Sequence, residues 1–133
     1  MPDLPLEEAG DLAEACQAEG LALVHLVAPS TTPERLAHIA ARAEGFLYLV
    51  SRPGTPGPAT PCPQTWPSMW PACAARVAVA IGFGISSPAQ VRRAASLADG
   101  VVVGSAVVER AAQGAEAVGR YVAELRHATR RPA

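Results

Sequence analysis

The chain has 133 residues, half of them hydrophobic, and a formal net charge of −1; that length suits one buried core and is short for two. Charged residues make up only 17%, against roughly 25% in an ordinary globular chain, and no basic field is present to draw nucleic acid or anionic lipid. Met1 is followed by Pro2-Asp3-Leu4-Pro5, which lacks the basic and apolar regions of a signal peptide, and no apolar run approaches the ~20 residues of a membrane span, so a cytoplasmic protein is expected. Cys16, Cys62 and Cys73 stand at no metal or redox spacing, and no metal site is expected of them.

Residues Leu6 to Gln17 place Ala9, Leu12, Ala13 and Cys16 on one helical face opposite Glu7, Glu8, Asp11 and Glu14, with Gly20 as the stop. The apolar run from Leu21 to Ala28 reads as a buried strand of parallel type. His25 inside it reads as a neutral histidine held in the core or at a layer edge, with a catalytic role as the alternative. Thr32-Pro33-Glu34 opens a second helix through a capping hydroxyl, a proline and an acid, and Leu36, Ile39, Ala40 and Ala43 follow at helical spacing up to Gly45. Phe46 to Val50 is a second strand and Val77 to Ile81 a third. Ser87-Pro88-Ala89-Gln90 is a capping box opening a helix with Val91, Ala94, Ala95 and Ala98 inward. Gly100 to Val103 is a fourth strand. A short helix begins at Ser105, and Ala115 to Ala128 forms the last one, with Val118, Val122 and Leu125 inward. Strands alternating with helices give a parallel sheet with right-handed crossovers, either an open doubly wound sheet or half of a (β/α)8 barrel.

Three of the four strands end in glycine-bearing turns: Gly54 and Gly57 after the second, Gly82 and Gly84 after the third, Gly104 after the fourth. Glycine lets backbone approach a ligand closely, and a helix start offers unpaired N–H groups. Barrel enzymes build phosphate sites in this way from the loops after their last two strands and a short extra helix; Ser105 to Arg110 has the length for that helix. The alternative is that these glycines serve only tight turns.

Five strings carry a family resemblance: Pro2 to Glu8; Leu26-Val27-Ala28-Pro29 with Thr31 to Leu36; Tyr48-Leu49-Val50-Ser51; Gly82-Phe83-Gly84-Ile85-Ser86; and Gly100 to Val108. In this order and near this spacing the chain resembles the C-terminal half of tryptophan synthase alpha chains. The resemblance implies an α/β fold, a partial (β/α)8 TIM barrel comprising strands five to eight with flanking helices, across residues 1–133 as a single truncated domain. It implies the reaction of that family, retro-aldol cleavage of indole-3-glycerol phosphate to indole and glyceraldehyde 3-phosphate in tryptophan biosynthesis. No cofactor of its own is implied, since pyridoxal phosphate belongs to the partner beta subunit, and Met1 to Leu6 matches the region that contacts that subunit. Gly57, Gly84, Gly104 and Ser105 match phosphate-binding positions, and Tyr48 and Phe83 match residues of the substrate pocket. Half-barrels of indole-glycerol-phosphate synthase or phosphoribosyl-anthranilate isomerase are the rival assignment, against which the Gly82 to Ser86 turn argues. A non-catalytic phosphate-binding or subunit-docking module is another.

Two departures qualify the resemblance. The family's catalytic glutamate and aspartate belong to strand two and the loop after it and match nothing in this chain, so no catalytic residue is assigned and the chain alone is expected to be an inactive fragment. The segment 53–75 holds no charged residue but seven of the 13 prolines and both tryptophans, where the family has a charged amphipathic helix. It reads either as a proline-rich loop or as an out-of-frame stretch. Back-translated with G/C-rich codons and read one base earlier, Ala59 to Cys73 yields a charged, amphipathic helical sequence. Either way an aberrant loop replaces one barrel helix.

Overall fold

The structure, a computed structural model, describes residues 6–28, 30–50 and 77–130. A 3-10 turn at Leu6–Glu8 leads into α1 (Gly10–Ala18), β1 (His25–Val27), α2 (Pro33–Arg42) and β2 (Phe46–Val50). After the segment 51–76 come β3 (Ala78–Gly82), α3 (Pro88–Ala95), β4 (Gly100–Val101), α4 (Ser105–Ala111) and α5 (Ala115–Ala128). The gap covers Gly57 and the proline-rich stretch, so those two expectations lie outside the described residues.

The four strands form one sheet in the order β1-β2-β3-β4, with every pairing parallel. The local causes of the elements are visible. Gly20 takes a left-handed φ of 66° while the Leu21 amide bonds the Cys16 carbonyl and the Gly20 amide that of Gln17, the two-bond helix stop that glycine favours. Thr32 accepts from the Arg35 amide to cap α2. Ser87 and Gln90 close a reciprocal capping box on α3, as their spacing announces.

Register assigns the two faces of the sheet. Val27 stands beside Leu49, Leu49 beside Ile81 and Ile81 beside Val101, and this row together with Leu47 and Val79 packs into a core with Leu36, Ile39, Val91, Ala94 and Leu125 of the helices. Leu47, Val79, Ile81 and Val91 are almost wholly shielded. The opposite face carries Leu26, Phe46, Tyr48, Val50, Ala80 and Gly100, all half-buried. A parallel sheet ordinarily has both faces covered, and this inner face is the one a closed barrel would fill with side chains.

Several expectations shift. The first helix is broken at Ala9 into a 3-10 turn and α1. The first strand shrinks from Leu21–Ala28 to three residues, because β1 is an edge strand pairing only with β2 and Leu21 is exposed. The fourth strand keeps two residues, although the Val102 amide still bonds the Ile81 carbonyl at 2.8 Å. In α5 the inward row is Tyr121, Leu125 and Ala128, and Val122 faces outward. Apolar periodicity favoured Val122, but a buried tyrosine that finds a hydrogen-bond acceptor fills the core position instead.

Candidate functional site

All four strands run in the same direction, so their C-terminal ends share one rim. Ala80 pairs with Gly100 and Ile81 with Val101, so the turn at Gly84 and the one at Gly104 follow neighbouring strands at this rim. Tyr48 stands level with Ala80, on the face turned away from the helices.

At the rim of β3 the chain turns sharply through two consecutive left-handed residues, Phe83 (φ 79°) and Gly84 (φ 73°). For glycine this conformation is free, whereas a side-chain-bearing residue there costs about 1–2 kcal/mol. Such strain persists where surrounding contacts impose it, and it concentrates at functional sites. The Phe83 ring stands exposed.

Tyr48 is one of the imposing contacts. Its hydroxyl takes a backbone hydrogen bond from Phe83, and burial, the larger influence, pushes the phenol above its ordinary value of 10.0 while that bond pulls it back. The ring lies across Gly82: a Cβ placed on Gly82 would collide with the hydroxyl and come within 2.6 Å of Cζ and 3.1 Å of Val102 Cβ. Gly82 is therefore a seat for the tyrosine, a role that reading it as one more turn glycine misses.

A second brace comes from α5. The Tyr121 hydroxyl donates to the Ser86 carbonyl at 2.7 Å, and the Ser86 amide donates to Gln90 Oε1 at 2.9 Å. The far end of the turn is thus held on both its polar groups. The Arg110 guanidinium of α4 lies 4.9 Å from the centre of the Tyr121 ring, within cation–π range.

At the rim of β4, Gly104 is the N-cap of α4 and provides no side-chain cap. A Cβ there would meet nothing within 4 Å, and both Gly104 and Ser105 are exposed. The Val107 and Val108 amides bond back to the Gly104 carbonyl, while the first amides of a helix have no partner within it. An uncapped, unobstructed helix start of this kind suits an anionic oxygen.

The sequence-derived candidates thus fall into two adjacent groups on one rim, Tyr48 with Phe83 and Gly84, and Gly104 with Ser105. His25 belongs to neither: its register partner is Leu47, on the helix-covered face, and burial lowers its pKa. Among the described residues no group of three His, Cys, Asp or Glu side chains could hold a metal ion, and no helix is long and apolar enough to cross a membrane. A groove of about 680 Å³ between the 3-10 turn, α1 and α2 is lined by Glu7, Thr32, Glu34, Arg35 and Arg42 and includes none of the rim residues.

Comparison with known proteins bears on the same residues. The family profile described as tryptophan synthase alpha chain matches residues 1–131. A tryptophan synthase alpha chain of Geobacillus kaustophilus is 46% identical over 115 residues, covering 85% of this chain and 42% of its own length. One from Chloroflexus aurantiacus is 40% identical over 146 aligned residues, covering 99% and 52%. Among solved structures, Mycobacterium tuberculosis tryptophan synthase superposes with a TM-score of 0.84 at 35% identity, covering 98% of this chain and 51% of that one. The chain spans about half the length of the relatives it matches.

Proposed function

The chain belongs to the tryptophan synthase alpha chain family, and on that premise we propose that its rim grips the phosphate of indole-3-glycerol phosphate or of the product glyceraldehyde 3-phosphate. Gly84, Gly104 and Ser105 present backbone amides to the phosphate oxygens; Gly57, the fourth position the resemblance matches, lies outside the described residues. Tyr48 and Phe83 line the adjoining pocket for the indole ring. The observation that supports this reading is that two turns follow the C-terminal ends of neighbouring paired strands, one left-handed at Gly84 and one an uncapped helix start at Gly104. Backbone N–H groups of such turns recognise a phosphate dianion without any charged side chain.

The lyase step needs more than a grip. Breaking the carbon–carbon bond requires a proton delivered to the indole ring and another removed from the substrate hydroxyl. Among the described residues no carboxylate stands at the C-terminal end of a strand. Asp99 sits at the opposite end, where its Oδ2 accepts from the Val79 amide at 3.0 Å just before β4 begins. Glu7 of the 3-10 turn, paired with Arg35, and Glu34 of α2 are exposed on the groove between the first helices. We therefore read these 133 residues as a fragment that holds the phosphate half of the site and does not release indole by itself. The family's association with a pyridoxal-phosphate-bearing beta subunit extends to this chain as part of the same proposal, and a cytoplasmic location follows from that metabolic role.

Calorimetric titration of the purified chain with glyceraldehyde 3-phosphate, together with an indole-release assay, tests both parts. Saturable binding without indole formation is expected. Absence of binding would remove the phosphate reading, and indole release by the chain alone would remove the inactive-fragment reading.

A further inference from the structure

The two rim turns belong to different βα units, and nothing in the strand pairing fixes the distance between them beyond Val102. One side chain touches both units. Tyr121 lies on α5 with only 5% of its surface exposed; its hydroxyl holds the Ser86 carbonyl at 2.7 Å, and its ring packs under Arg110 at 4.9 Å. Ser86 closes the turn that contains Gly84, and Arg110 rides on the short helix that Gly104 and Ser105 open. We propose that Tyr121 is a positioning residue that braces the Phe83–Ser86 turn against α4, which it meets at Arg110 in that helix's last turn, and so sets the spacing of the amides that grip phosphate. This inference rests on the phosphate reading above.

The chemistry favours a brace over simple core filling. A phenylalanine would fill the same volume, but only the hydroxyl reaches Ser86, a residue 35 positions away in sequence. Gln90 Oε1 accepts from both the Ser86 and the Ser87 amides, which ties the end of the turn to α3, whereas the Tyr121 bond to the Ser86 carbonyl ties it to α5. Without that bond the turn keeps its hold on α3 but is free to shift relative to α5, and its left-handed glycine at 84 permits the adjustment at little cost. Tyr121 touches no ligand; it acts through the two turns.

The test is Tyr121→Phe in the full chain, which keeps the ring and the Arg110 contact and removes one hydrogen bond. Calorimetric affinity for glycerol 3-phosphate should weaken about threefold to tenfold, the range one hydrogen bond spans. Leu36→Ala, which hollows the core beneath α2, serves as the stability control and should leave that affinity within about twofold, because it destabilises from a helix that carries neither turn. Amide chemical shifts give a second, ligand-free readout. Tyr121→Phe should move the resonances of both Gly84–Ser86 and Gly104–Ser105, and Leu36→Ala neither pair. Unchanged affinity in Tyr121→Phe beside a binding wild-type chain would overturn the brace and leave the phosphate reading standing. If the wild-type chain binds no phosphate ester, the phosphate reading falls, and the shifts still decide the brace: movement of both turns supports it, movement of one or neither overturns it.

Discussion

Alanine at position 82 puts a methyl group into space that Tyr48 already occupies. The added Cβ would lie 2.6 Å from the ring carbon Cζ and 3.1 Å from Val102 Cβ, where unstrained carbon contacts stand at about 3.5–4.0 Å. Val102 sits on backbone paired to β3, so the tyrosine must swing away and release its bond to Phe83. Loss of that hydrogen bond costs about 0.5–1.5 kcal/mol, and overpacking adds about 1–3 kcal/mol. Alanine returns about 0.5–1 kcal/mol, because a strand residue without positive φ is better served by alanine than by glycine. The expected net destabilisation of Gly82→Ala is about 1–3 kcal/mol. Equilibrium urea unfolding followed by circular dichroism measures it, and the decisive arm repeats the substitution in a Tyr48→Ala background. There the collision is gone, and Gly82→Ala should be neutral or stabilising. An equal cost in both backgrounds would show that the two residues are not coupled, and the account of Gly82 as the seat of Tyr48 would be wrong.

Three further outcomes are expected. Ser87→Ala removes the side-chain acceptor of the α3 capping box and should cost about 1 kcal/mol in the same unfolding assay. His25 has its pKa lowered from 6.5, by burial first, with the Glu44 carboxylate pulling the other way. The fold therefore favours the neutral imidazole, and this contribution is complete above 6.5 and lost as pH falls through the lower folded-state value. His25→Gln should flatten the decline of stability on acidification, and an unchanged pH profile would contradict that. Sequencing the gene should show codons for residues 59–73 that yield a charged, amphipathic helix in a shifted frame; codons yielding none in either shifted frame would restore the proline-rich loop.

The parts of the fold governed by short-range rules were legible in the sequence. The Thr32 cap, the Ser87–Gln90 box and the Gly20 stop depend on residues a few positions apart, and each sits where its spacing placed it. The second strand, Phe46 to Val50, has the bounds its apolar run announces. Length of the edge strands was not legible, because the extent of pairing in β1 and β4 depends on their neighbours and not on the apolar run itself. In α5 Leu125 faces inward as its spacing announces, but Tyr121 takes the core position in place of Val122, for a similar reason: both are apolar enough to face inward, and the Tyr121 hydroxyl finds its acceptor in the Ser86 carbonyl 35 residues away. At the rim, glycines 84 and 104 were readable as turn residues. The tight packing of Gly82 against Tyr48 and the left-handed backbone of Phe83 were not, since both arise from contacts between different strands.

The most direct measurement is a titration of the isotopically labelled chain with indole-3-glycerol phosphate, followed through individual backbone amides. The account predicts saturable shifts centred on Gly84, Gly104, Ser105 and the pocket residues Tyr48 and Phe83, all at one common affinity. Shifts that fail to saturate, or that cluster on the groove of Glu7, Arg35 and Arg42 while the two turns stay silent, would contradict it.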